Sequence, residues 1–210
     1  MAKYRYDNIT GNTPDLLANF LPTLDPRLIK ITDTAPYDIS INGDAIFRIA
    51  QNSYKLILNG TEILSGGDVF QDFKVWSIIG DDIILLRINR RGEDRPFIIA
   101  WVADNNGNRY ISGYWTTGTQ NNYFEVSQYN FYKCSDNTSG YAFAKMINFV
   151  APVNSVAYSS LAPFTNGGSL AFYGKDIYSC STLSRDVTVA LPNGKNYRTV
   201  GTNTMIEIDT

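Results

Sequence analysis

With 210 residues, 18 basic against 20 acidic side chains and no histidine, the chain is long enough to bury roughly 70% of the surface its unfolded form exposes. Its charge is too evenly balanced for a phosphate backbone to be its main partner, and the lack of histidine excludes Ser-His-Asp triads and His-based zinc sites together. Only 18% of residues are charged and 13% are aromatic, with Asn, Ser, Thr and Gly supplying much of the remaining polarity, a balance that suits β-structure and many turns rather than a solvated helical bundle.

The first ten residues, MAKYRYDNIT, lack the continuous apolar stretch of a signal peptide. No run of about 18 apolar residues occurs, so the sequence reads as a soluble chain made in the cytoplasm, without membrane insertion. Three Asn-x-Ser/Thr matches, at Asn8, Asn59 and Asn137, read as chance in an Asn-rich chain. The one helix expected is TPDLLANFL, with Thr13 as cap, Pro14 at the first helical position, Asp15 at the positive end of the dipole and Pro22 as the stop.

From about Leu28 onward short apolar runs follow one another: YDISI, AIFRIA, YKLIL, TEIL, FKVWSII, DIILLRI, PFIIAWVA and RYISGYW. Between them stand turn-forming stretches: Ile41 to Gly43, Leu58 to Gly60, Arg90 to Arg95 and Asp104 to Asn108. NYFEVSQYNFYKC reads as a longer strand, and SDNTSG from Ser135 breaks it. Beyond lie YAFAKMINFVAPV, as strand or short helix, and then SLAFYG, DIYSC, DVTVAL, NYRTV and TMIEI as strands. The Pro192–Asn193–Gly194 turn marks a hairpin in which Val187, Val189 and Leu191 share a face. The expected fold is all-β: an antiparallel sandwich, or meander or barrel-like sheets, with one short N-terminal helix. Residues 1–26 form an arm with that helix, 27–134 a β domain, and 135–210 a C-terminal β region that is either separate or part of the same domain. Cys134 and Cys180 match no CxxC pattern and leave two readings open, one disulfide or two buried thiols.

Several stretches imitate chemistry. Gly80-Asp81-Asp82 between two apolar runs resembles the metal-binding turn of nucleic-acid polymerases, and Asp33-x4-Asp38 matches the spacing of their other metal-binding aspartates. Neighbouring strand residues point to opposite faces, so the pair shares a metal only if a turn presents both carboxylates. A polymerase also needs a larger frame and a cationic channel; the expected reading is a hairpin connection, with a metal-dependent hydrolase using Asp81 or Asp82 as a remote alternative. DNNGN from Asp104 lacks the alternating oxygens and closing glutamate of a calcium loop and reads as a turn. Glu93 and Asp94 sit among Arg90, Arg91 and Arg95 as an ion-paired tip rather than a glycosidase pair. Ser184–Arg185 and the other serines have no recognisable adjacent base. No catalytic residue, metal site or cofactor is expected.

The aromatic residues are more informative. In RYISGYW, Tyr110 and Tyr114 alternate onto one face, with Ile111 and Trp115 on the other; Tyr123, Tyr129 and Phe131 share a parity opposite Phe124 and Val126. Either these rings fill a core, or Tyr110, Tyr114, Trp115 and Tyr123, with Asn121 and Asn122 beside them, stack on a sugar or anchor a protein interface.

The C-terminal stretch LPNGKNYRTVGTNTMIEID, Leu191 to Asp209, resembles the endings of small β-rich structural proteins of tailed-bacteriophage virions, in which an NGKxY hairpin precedes a closing strand. The resemblance implies a tail, baseplate, fibre or head-associated component located in the virion and synthesised in the host cytoplasm. Such a protein works without cofactor, through contacts with copies of itself and other virion proteins, and in an attachment role with host-surface carbohydrate; it carries over no catalytic residue. Sheet edges that need covering and a marginal N-terminal arm agree with assembly. The alternative is a carbohydrate-binding β-sandwich module.

Overall fold

The computed structural model describes residues 2–67, 72–90, 96–104, 106–115, 130–141, 144–145, 150–153, 156–162, 164–166, 169–171, 177–180, 187–191, 193–199 and 204–209. Strand β1 (Ala2–Ile9) leads into helix α1 (Pro14–Phe20) and a 3-10 turn, Leu21–Thr23. Then come β2 (Leu28–Lys30), β3 (Tyr37–Ile41), β4 (Ala45–Ala50), β5 (Ser53–Leu58) and β6 (Thr61–Gly66), paired in chain order as a five-stranded antiparallel meander. A second meander runs through β7 (Phe73–Gly80), β8 (Ile83–Arg90), β9 (Phe97–Ala103), β10 (Arg109–Trp115), β11 (Phe131–Lys133) and β12 (Ser139–Tyr141).

This second meander supplies six strands of a 14-stranded sheet. Beyond β7 the order continues through β1, the closing strand Thr204–Asp209, Ile177–Cys180 and Val156–Ala162, and the described strands do not close into a barrel. The fold is therefore an all-β sandwich with one short helix. Ala2–Ile9, expected as part of an arm, is a full strand laddered antiparallel to β7 from Lys3–Ile79 to Ile9–Phe73. The closing strand pairs in parallel with β1 only at Ala2 and Lys3. The stretch expected to break the chain at Ser135 is the turn between β11 and β12, neighbours in the same sheet.

Period-2 patterning places the core. In β3, β4 and β5 the residues Ile39, Ile41, Phe47, Ile49, Leu56 and Leu58 are fully buried on the inward face. They pack against Val75, Leu86, Phe97, Ile99 and Ile111 of the large sheet, with Leu17 and Leu21 of the helical segment closing one side. Phe97 bridges the layers, its ring 5.3 Å from Phe47 and 5.4 Å from Tyr54. The runs in β8 and β9 are continuous rather than alternating because both faces are covered: Leu85, Ile98 and Val102 are buried on the face opposite Leu86, Ile99 and Trp101. At the closed edge β10 lies against β6. Gly113 admits Leu64 and Leu56 where a Cβ would come within 2.6 Å, and Trp115 lies on Gly66 where a Cβ would meet the ring at 2.6 Å.

Thr13 occupies the N-cap with extended dihedrals and Pro14 starts the helix, but no side-chain cap hydrogen bond forms; the α-helix ends at Phe20, and Pro22 lies in the 3-10 turn that follows. Among the described residues no helix is long and apolar enough to cross a membrane.

Candidate functional site

The motif-like carboxylates have structural positions. Gly80 pairs with Ile83, so Asp81 and Asp82 are the two-residue loop of the β7–β8 hairpin, and both are exposed. Arg27 holds this turn from outside: its guanidinium donates to the Asp81 carbonyl at 2.7 Å and the Gly80 carbonyl at 2.7 Å, pairs with Asp25 at 2.8 Å, and lies over the Trp101 ring at 5.5 Å. Burial pushes the Asp25 carboxyl up, but the side-chain and backbone hydrogen bonds of Arg27 outweigh it and hold the group below its ordinary value. Asp38 is bound by Arg48 at 2.7 and 2.8 Å, while Asp33 stands in solvent at the end of a loose pair with Lys30. Among the described residues no group of three metal-ligating side chains converges.

Asp104 shows what the DNNGN segment does. Its carboxylate, 5% exposed, accepts from the backbone N–H groups of Asn106 and Asn108, the Asn108 amide and the Tyr110 hydroxyl. Those donors saturate it, so it organises the β9–β10 turn. Burial first, and then the Asp104 charge, push the Tyr110 hydroxyl above its ordinary pKa. Asp44, with its side chain 6% exposed, accepts from Trp101 Nε1 at 2.8 Å and pairs with Arg109 at 3.0 Å; Glu207 is engaged by Lys195 at 2.8 Å. Cys134 is a free, buried thiol pushed up to about 12 by burial and then by the Asp44 charge.

Of the aromatic candidates, Tyr110 and Tyr114 share one face and Ile111 and Trp115 the other, as the alternation predicts. Tyr110 is 3% exposed, with its ring 5.0 Å from Tyr141, and is a core residue. Tyr114 and Trp115 are half-buried on opposite faces, so these rings make no common platform. Asn121, Asn122, Tyr123, Phe124, Val126 and Tyr129 lie outside the described residues, as do Arg91, Glu93, Asp94, Arg95, Ser184 and Arg185.

Two surfaces were not legible as sites in the sequence. On the outer face of the five-stranded sheet, Ile29, Ser40, Ile46 and Ile57 stand in cross-strand register. Ile29 and Ile31 are each 55% exposed, and Ile46 and Ile57 are partly exposed. Beside this row runs a charged one, in which Arg48 pairs with Asp38 and Lys55 with Glu62 at 2.7 Å. The second surface lies on β1 and β7. Tyr6, 42% exposed, has its ring 4.9 Å from Trp76, and Arg87 lies 4.2 Å over Trp76. Tyr6 donates its hydroxyl proton to Asn8 Oδ1 at 2.9 Å, and Asn8 borders a cleft of about 430 Å³ with Ile9, Thr10, Asp72, Phe73 and Lys74. The alternation of Tyr4, Tyr6 and Asn8 with Lys3, Arg5 and Asp7 carries the period of a strand, but too few apolar residues mark its inner face.

Comparison with protein-family models, with curated proteins and with solved structures finds no match to this chain.

Proposed function

We propose that the protein is a non-enzymatic building or attachment part of a larger assembly, of the kind found in tailed-bacteriophage virions, acting through contacts with copies of itself and with other virion proteins. The observation that carries the reading is the isoleucine row of the five-stranded sheet. Ile29 and Ile31 are, with Tyr6, the exposed large apolar side chains among the described residues; Ile29 shares an outward face with Ile46 and Ile57, and Ile31 follows just past the end of β2. Each fully buried isoleucine is worth roughly 1.5–3 kcal/mol over an exposed one, so covering this row favours association. The adjoining charges are already paired within the sheet, which leaves the row flanked by a neutralised border. The buried carboxylates Asp44, Asp104 and Glu207 are engaged by donors of the same chain, which agrees with scaffolding.

The test is the solution mass by light scattering coupled to size exclusion. A defined oligomer that dissociates in the Ile29→Lys/Ile46→Lys variant is the expected result. A strictly monomeric wild-type protein that also recruits no virion partner overturns the proposal.

A further inference from the structure

The environment of Tyr6 points to a ligand. Because the closing strand pairs with β1 only at Ala2 and Lys3, β1 has no described neighbour on that side from Arg5 to Ile9. The Tyr6 ring is consequently open on one side while its position is fixed on the other. Trp76 stands beside it in the cross-strand position, 4.9 Å away, and is itself backed by Arg87 at 4.2 Å. The hydroxyl of Tyr6 is held on Asn8. A supported, half-exposed ring of this kind loses little freedom when a ligand stacks on it.

The cleft beyond Asn8 supplies the complementary groups. Its volume of about 430 Å³ falls in the range of small-ligand sites. Asn8 offers an amide, Thr10 a hydroxyl, Asp72 a carboxylate and Lys74 an ammonium, and Phe73 and Ile9 form its apolar part. The carboxylate of Asp72 is oriented by the Gly11 N–H at 2.7 Å, where Gly11 sits at φ +147°. One positive and one negative group side by side favour a ligand without net charge. An aromatic face next to a small set of mixed donors and acceptors fits the two sides of a sugar ring, whose C–H face is apolar and whose rim is hydroxyls.

We infer that the cleft of Asn8, Asp72 and Lys74 at the end of β1 and β7, together with the Tyr6 ring beside it, binds a neutral hexopyranose unit of a glycan. Tyr6 carries the stacking contact; Asn8, Asp72 and Lys74 receive the hydroxyls. The inference does not depend on the assembly reading, because the isoleucine row lies on the other sheet. An oligomer that binds no glycan sinks only the present inference, and a monomer that binds one sinks only the other.

The experiment begins with the purified full chain on a printed array of neutral oligosaccharides. The methyl glycoside of the strongest signal is then titrated by saturation-transfer NMR against wild type and variants. Tyr6→Ala is expected to weaken binding roughly tenfold, and Tyr6→Phe, which keeps the ring, less than about threefold. Asn8→Ala, at an exposed position, gives a second loss with both aromatic rings kept. Melting curves of all variants establish that the fold persists. An array without signal above blank spots overturns the inference. So does unchanged affinity in folded Tyr6→Ala and Asn8→Ala proteins, since the glycan then binds elsewhere.

Discussion

Cys134 is the side chain whose chemistry the fold has altered most plainly. Burial raises its thiol pKa to about 12, and the nearby Asp44 carboxylate adds to the effect. Since the thiolate is the reactive form, Cys134 of the native protein should resist iodoacetamide at pH 8 and alkylate in 6 M guanidinium, as peptide mass spectrometry would record. Asp25 has the opposite shift. Its folded pKa lies below the ordinary value of 3.8, so its contribution with Arg27 is fully present above that value and is lost as pH falls through the depressed folded pKa. The stability gap between wild type and Arg27→Gln should accordingly be wider at pH 5 than in strong acid, where it narrows to the share held by the contacts of Arg27 with Gly80, Asp81 and Trp101. Gly66 makes a third case: its dihedrals are ordinary, but an added Cβ would meet the Trp115 ring at 2.6 Å. Gly66→Ala should cost about 1–3 kcal/mol in urea denaturation, by overpacking rather than by backbone strain.

Elements are held by features that differ in how far local sequence specifies them. Asn59–Gly60 turns β5 into β6 in two residues, with φ of 46° and 78°, the left-handed pair that Asn-Gly adopts at low cost. Asn59 also donates to the Cys134 carbonyl at 2.9 Å and to Asn137 Oδ1 at 2.7 Å, tying this turn to the one between β11 and β12. By contrast, Thr13 satisfies the cap position of α1 without making the cap bond. Asn59→Ala should therefore cost about 1–2 kcal/mol, while Thr13→Ala should cost under about 0.5 kcal/mol, a ranking that inverts the ordinary expectation for the two sites. The cap was readable from residue type, but whether the hydroxyl reaches an N–H depends on how Pro14 and the following turn dock against the core. β1 was missed for a related reason. Its pattern is nearly all polar or aromatic, and its strand character comes from β7 beside it.

At the scale of the whole molecule, two antiparallel meanders enclose the main core, and a strand from the far end of the sequence joins the large sheet beside the first. Thr204–Asp209 is buried from Thr204 through Ile208 and pairs with β1, Asn196–Thr199 and Ile177–Cys180. Termini tied together in this way couple the two ends of the chain. Removing residues 204–210 should expose Ala2, Ile78 and the rest of the second core, and the shortened protein should bind a hydrophobic dye and lose its cooperative melt. The two exposed surfaces belong to this scale too. The isoleucine row exists only when three strands align their outward residues, and the Tyr6 cleft only when β1 lies on β7.

By itself the sequence determined the β class, the succession of short strands from Leu28 onward, the hairpin turns and the parity of Tyr110 and Tyr114 against Ile111 and Trp115, because strand period and turn chemistry are local properties. It also identified Gly80-Asp81-Asp82 and DNNGN as turns, since the chain offers no frame or cationic channel for a polymerase and DNNGN lacks the alternating oxygens and closing glutamate of a calcium loop. Only the tertiary structure decided that the strands divide into two meanders, that Ala2–Ile9 lies within the large sheet, that Tyr110 is core, that Cys134 is a free buried thiol, and that Asn8, Asp72 and Lys74 border one cleft with Tyr6 bonded to Asn8 beside it. Those facts depend on pairings between distant segments, and the choice of a strand's neighbour is made by the burial and hydrogen bonding of the whole sheet rather than by the residues of the strand alone.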